Sequence, residues 1–369
     1  MSPSNNTLTV DDRITRLVPY HPGKPISEVR RELGLTEIVK LASNENPLGP
    51  SPKAIDAIIA AAASVHVYPD GACHDLRTSI AARLDISPDS LVFGNGSDEI
   101  IHLLGLTYLC AGDEVVVAHP TFSRYESAAV LAGAHTLRVP LRDWAFDIEA
   151  MVASITDRTR LVFLSNPNNP TGGYASTDGV NRLINSLPDR CILCIDEAYY
   201  EYAARPDYPQ AIEYVRQNRN VIILRTFSKI YGLAGLRIGY GIAKRQIIGH
   251  IEQVREPFNT NALAQTAAVA ALDDSAHLEA SRSLVLEQRP MLARRLSEMD
   301  MTVYPSEGNF LWVNTHRDSQ WIFDGLLRCG VIIRTGDAFD APGYLRITIG
   351  TAQQNEKLLS ALSEVLSKP

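Results

Sequence analysis

Val221-Ile222-Ile223-Leu224-Arg225-Thr226-Phe227-Ser228-Lys229-Ile230-Tyr231-Gly232 is the stretch on which the fold turns. Its first four residues form a short apolar run, the pattern of a strand buried on both faces. A lysine follows at once, between Phe227 and Ile230, with glycine behind it. Most lysines are solvated surface charges, and Lys229 fits that description poorly. A lysine in a partly desolvated pocket has a depressed pKa and forms an imine with a carbonyl compound. Working outward, similar apolar runs recur at Leu91–Phe93, Glu114–Ala118, Leu161–Ser165, Cys191–Asp196 and Arg237–Ala243, separated by helix-like or loop segments. That alternation predicts an α/β layered domain with a mostly parallel sheet.

Beyond residue 245 the character changes. Helix-like sequence fills much of 246–300, strands are expected at 309–315, 331–334 and 344–349, and a last helix at about 352–367. This reads as a smaller α+β domain. Residues 1–44 read as an arm that also joins the small domain. The expected division is 1–44, a large domain 45–270, and a small domain 271–369.

The chain has 369 residues, 45% hydrophobic and 21% charged, with net charge −7. No basic stripe marks a nucleic-acid partner. No apolar run of 18 residues marks a membrane span. The polar, acidic start MSPSNNTLTVDD lacks the apolar core of a signal peptide, so a cytoplasmic location is expected. Five cysteines make no disulfide framework. Cys191 and Cys194 should point to opposite faces of a strand, and no further zinc ligands accompany them. No metal is expected.

In open α/β sheets, ligands bind beyond the carboxyl ends of strands, and the unusual residues recur there. Asp196 ends the run Cys191–Ile195. It could be a helix cap, a metal ligand, or the partner of a cationic ring nitrogen. Tyr199 stands three residues on. Ser165-Asn166-Pro167-Asn168-Asn169-Pro170-Thr171-Gly172 reads as a stiff turn loop. Phe93-Gly94-Asn95-Gly96-Ser97-Asp98-Glu99 is strand, glycine turn and helix start, which suits a phosphate. The third glycine of a dinucleotide fingerprint is missing, so a single phosphate fits better. Ser228 and Arg237 could complete the cup.

SNPNNPTG, IDEAYYEY and TFSKIYGLAGLRIG, in this order and spacing, resemble the fold-type I pyridoxal-5'-phosphate (PLP) aminotransferases. Within that family, LVPYHPGK, LASNENPLGPSP, VYPDGACHDLR, FGNGSDEII, PTFSRYESAA, EGNFLWV and YLRITIGT are similar to the histidinol-phosphate aminotransferases. The resemblance spans essentially the whole chain. It implies a large domain with a mostly parallel, seven-stranded sheet plus the smaller domain.

It also implies roles. Lys229 would hold the cofactor and shuttle protons. Asp196 would pair with the ring nitrogen, and Asn169 and Tyr199 with the ring hydroxyl. Phe122 would stack on the ring. Ser97, Asp98, Ser228 and Arg237 would border the cofactor phosphate. Tyr68 would reach the partner subunit's phosphate, which requires a homodimer. Arg346 would bind the substrate's anionic group, with Arg334, Tyr20 and Asn169 also on the substrate side. The implied reaction converts histidinol phosphate and 2-oxoglutarate into imidazole-acetol phosphate and glutamate, in histidine biosynthesis and with ping-pong kinetics. The alternatives are an aromatic amino acid aminotransferase, a PLP-dependent lyase or decarboxylase, and a PLP-binding module without activity.

Overall fold

The computed structural model describes residues 9–19 and 23–367. Its main sheet has seven strands: β1 (Leu91–Gly94), β2 (Glu114–His119), β3 (His135–Pro140), β4 (Thr159–Ser165), β5 (Ile192–Asp196), β6 (Val221–Thr226) and β7 (Gly239–Ala243). Their order is β1-β7-β6-β5-β4-β2-β3. Only β7 runs antiparallel to its neighbours. The strand-end loops after β1, β4, β5 and β6 therefore open on one edge.

Burial explains which strands the sequence shows. Every residue of β1, β5, β6 and β7 is buried, so these read as continuous apolar runs. The edge strand β3 buries only Val139; it carries His135 and Arg138 and gives no such run. Two separate apolar clusters pack on the sheet. Cys191 lies in one and Cys194 in the other, as their odd spacing predicts.

A second sheet has the order β10-β11-β9-β8, with β8 (Thr302–Tyr304), β9 (Phe310–Asn314), β10 (Arg334–Thr335) and β11 (Tyr344–Thr348). The strand expected at 331–334 is divided. Val331–Ile332 pairs in parallel with Val39–Lys40 of the arm, and Arg334–Thr335 joins the four-stranded sheet. Buried Ile333 sits at the switch. Helices Arg245–Glu252, Ala262–Leu272 and Ser275–Ser297 occupy the stretch expected to be helical, and helix Ala352–Leu366 closes the described chain. No helix among the described residues is long and apolar enough to cross a membrane.

Candidate active site

The strand ends and the four-stranded sheet enclose a cleft of about 460 Å³. Ser97, Asp98, Phe122, Asn169, Asp196, Tyr199, Ser228, Lys229, Arg237 and Arg346, drawn from seven separate parts of the chain, all line it.

At its floor, Asp196 is 4% exposed at the end of β5. Burial pushes its carboxyl up to about 6, against the pull of two donors. These are the Tyr125 hydroxyl, 2.7 Å from Oδ2, and the Ala198 N–H, 3.1 Å from Oδ1. Tyr125 is itself fully buried and stacks on Phe163 at 4.6 Å. A carboxylate held in so dry a place gains most from a cationic partner.

Lys229 Nζ donates to the Ser43 carbonyl at 3.2 Å and lies 5.5 Å from the centre of the Tyr199 ring. The Tyr199 hydroxyl accepts from Asn44 Nδ2 at 3.0 Å, so its own proton is left to donate into the cleft. Asn44 is held in turn by Thr348 and Asn309. Asn169 Oδ1 accepts from Arg346 Nη1 at 2.6 Å, which leaves the amide N–H groups as donors.

The glycine turn makes an anion cradle. Helix Ser97–Tyr108 starts without a side-chain cap, from Gly96 at φ +79°. Its free N–H groups and dipole face the cleft end bordered by Arg237 and Ser228. Arg237 Nη1 donates to Ser228 Oγ at 3.3 Å, and Nη2 lies 3.5 Å from Asp98. A methyl group on Gly96 would come within 2.5 Å of Arg237 Nη2. The glycine thus lets the guanidinium close up against the start of the helix. A phosphorylated pyridine aldehyde fits this donor set: phosphate at the cradle, ring nitrogen at Asp196, ring hydroxyl at Tyr199 and Asn169, and carbonyl toward Lys229.

Arg346 is 7% exposed; its Nη2 donates to the Ala42 carbonyl at 2.5 Å. Arg334 stands opposite Arg346 in strand register, one strand further out and off the cleft wall. Tyr68 is 80% exposed, stacked on Phe258 at 4.9 Å, and away from this chain's own cleft. Tyr20 lies outside the described residues. The sequence reading assigned no role to Tyr125, Ser43 or Asn44. Ser43 and Asn44 sit in LASNENPLGPSP and Tyr125 in PTFSRYESAA, segments that carried the resemblance. Their roles depend on contacts 71 or more residues away.

The cleft and sheet define an α/β enzyme built around a phosphorylated ring. The family described as aminotransferase class I and II matches residues 36–362. The chain belongs to that family, and its cofactor is PLP. It is similar to a histidinol-phosphate aminotransferase from Moorella thermoacetica, 50% identical over 96% of this chain and 92% of the relative. Another from Brevibacillus brevis is 46% identical over 96% and 98%. The solved histidinol-phosphate aminotransferase of Sinorhizobium meliloti, in complex with pyridoxal-5'-phosphate, is 28% identical. It superposes with a TM-score of 0.89 over 98% of this chain and 99% of that one.

Proposed function

We propose that this chain transfers the amino group of histidinol phosphate to 2-oxoglutarate, giving imidazole-acetol phosphate and glutamate, within histidine biosynthesis. The full-length similarity to relatives of that name supports the substrate. The observation that carries the chemistry is the placement of Lys229, Asp196, Tyr199 and the Gly96–Arg237 cradle around one cleft.

When bound, PLP supplies an electron sink that makes the substrate's Cα–H acidic. The protein's groups do the rest. Asp196 would hold the proton on the ring nitrogen. Tyr199 and Asn169 would donate to the ring hydroxyl, and Phe122 would lie against the ring. Ser97, Asp98, Ser228 and Arg237 would border the phosphate. Lys229 Nζ would anchor the cofactor and, once released, take the proton from the substrate's Cα. Arg346, a rigid fork, grips the anionic end of donor and acceptor in turn. Arg334 and Tyr20 add to the grip on the donor's phosphate.

Tyr68 serves the partner's cleft in a C2 homodimer. Exposed Ile55, Ile59, Val65, Val67 and Phe258 accompany it and suit burial against a second copy. We read the chain as an arm (1–44), a large domain (45–270) and a small domain (271–369), and a cytoplasmic location suits a biosynthetic enzyme.

A donor panel tests the substrate. With 2-oxoglutarate as acceptor, kcat/KM for histidinol phosphate should exceed that for phenylalanine, tyrosine and other amino acids. A preference for phenylalanine or tyrosine would replace the substrate assignment. Turnover that needs no keto acid would replace transamination itself.

A further inference from the structure

After β3 the chain makes a two-residue hairpin. Arg142 and Ala145 exchange N–H to carbonyl bonds of 2.9 Å in both directions, and the residues between them, Asp143 and Trp144, hold φ of 50° and 64°. Two left-handed residues in a row define a turn that favours Asn-Gly. A tryptophan in that region is an outlier, kept only where its surroundings hold it there.

What holds it is the four-stranded sheet. The Trp144 ring lies 4.7 Å from Tyr344, 5.4 Å from Trp312 and 6.1 Å from Tyr304, centre to centre. Register pairing places Trp312 beside Tyr304 on one side and Arg346 on the other. Tyr344 and Arg346 alternate along one strand, so all four share a face. That face has an aromatic part under Trp144 and a cationic part, Arg346 and Arg334, beside it. Phe339 joins the two: its ring touches Trp312 edge-on at 6.1 Å and lies 5.4 Å from the Arg346 guanidinium.

The hairpin also backs the Asn169 loop. A methyl on Gly173 would meet the Trp144 carbonyl at 3.0 Å. The same loop is tied to the small sheet by Glu307 N–H to Gly172 O (2.9 Å) and by Arg346 to Asn169. Trp144 therefore packs against the strand neighbours of Arg346 and against the loop that carries Asn169, and it does not line the cleft.

We propose that Trp144 is a positioning residue for the substrate's anionic group: docked on Tyr344 and Trp312, it fixes where the small sheet delivers Arg346 against Asn169. This rests on reading Arg346 as the anion fork. A displaced fork costs affinity for every anionic substrate, by about 10- to 100-fold for a shift near 1 Å.

The test uses the holoenzyme. Trp144→Ala should raise KM for histidinol phosphate and for 2-oxoglutarate about 10-fold or more, with kcat within about threefold and the cofactor's absorption unchanged. Trp144→Phe should recover most of the loss. Asp143→Gly, which alters the turn and keeps the ring, should leave both KM values as they were. If Trp144→Ala does not fold, Trp144→Leu, which keeps bulk but no ring, takes its place under the same expectation. Arg346→Lys is measured beside them. Unchanged KM values in the Trp144 variants while Arg346→Lys raises them would overturn the brace. Unchanged KM values in Arg346→Lys would instead remove the fork on which it rests.

Discussion

The Tyr125 hydroxyl donates to Asp196 Oδ2 across 2.7 Å, and both side chains are buried. Without this donor the carboxylate would be costlier still to keep charged, since burial already lifts it from an ordinary 3.8 to about 6. Because the folded value is the higher one, the neutral carboxyl favours folding. That contribution is complete below about pH 4 and is lost as the pH rises through about 6. The loss is on the order of 3 kcal/mol at about 1.4 kcal/mol per pH unit.

Cofactor-free protein should therefore lose stability between about pH 4 and pH 6, and cofactor-free Asp196→Asn should lose less. The melting-temperature gap between them should widen in favour of the variant toward pH 7, and Tyr125→Phe should carry the wild-type loss to higher pH. Saturating PLP should close the gap, because its ring cation pairs with the carboxylate. A gap independent of pH would show that Asp196 is not the titrating group. In turnover the ranking reverses: Asp196→Asn holoenzyme should lose about 2–5 kcal/mol of catalysis.

Gly96 supplies a sharper test of the phosphate cradle. Its φ of +79° is strained for any L side chain, and a methyl there would push Arg237 Nη2, 2.5 Å away, out of place. Gly96→Ala should weaken PLP binding at least about 10-fold, from backbone strain together with a displaced guanidinium. Equilibrium dialysis would measure this directly. Gly235, where a methyl would meet no atom within 4 Å, is the control; its alanine variant should bind PLP normally. Equal affinity in both variants would mean that the phosphate sits elsewhere.

How far the sequence could be read depended on burial and on distance along the chain. The runs at β5 and β6 were visible because both faces are covered, so nothing polar interrupts them. β3 was missed because it lies at the sheet edge with one face open. Lys229, Asp196 and the Gly96 turn were legible because each unusual residue directly follows an apolar run. Tyr125 was not, because its partner lies 71 residues away and an aromatic on a helix ordinarily means core packing. The divided strand at 331–335 failed for a related reason. Val331, Ile332 and Ile333 look alike in sequence, and only the neighbouring strands decide which sheet each residue joins.

Tyr68 bears on assembly. Its ring is exposed and stacked on Phe258, with no contact to its own cleft. Tyr68→Ala and Lys229→Ala should each be inactive alone. Mixed after mild dissociation, they should regain up to about a quarter of wild-type activity, since one of the two sites in each mixed dimer is intact. Borohydride should fix PLP to Lys229 in the wild type and in Tyr68→Ala, and fail to do so in Lys229→Ala. No recovery on mixing, with subunit exchange verified by mass, would confine Tyr68 to its own chain.

Arg334 offers the test between donors. It stands beside Arg346 in strand register, on the same face of the small sheet. A single fork suffices for a monocarboxylate such as phenylalanine. Histidinol phosphate has no carboxylate, and its dianionic phosphate gains from a second guanidinium. Arg334→Ala should therefore lower kcat/KM for histidinol phosphate by about 1.5–3 kcal/mol, roughly 10- to 100-fold, the range for a lost charged hydrogen bond. For phenylalanine and glutamate the change should stay within about threefold, because Arg346 remains. Raising the ionic strength should weaken the phosphorylated donor more than the amino acids, since screening grows with the charge on the ligand. Arg346→Ala is the comparison, and it should depress both half-reactions together. If Arg334→Ala harms all donors equally, Arg334 acts by supporting Arg346, and the preference for a phosphate must come from elsewhere in the cleft.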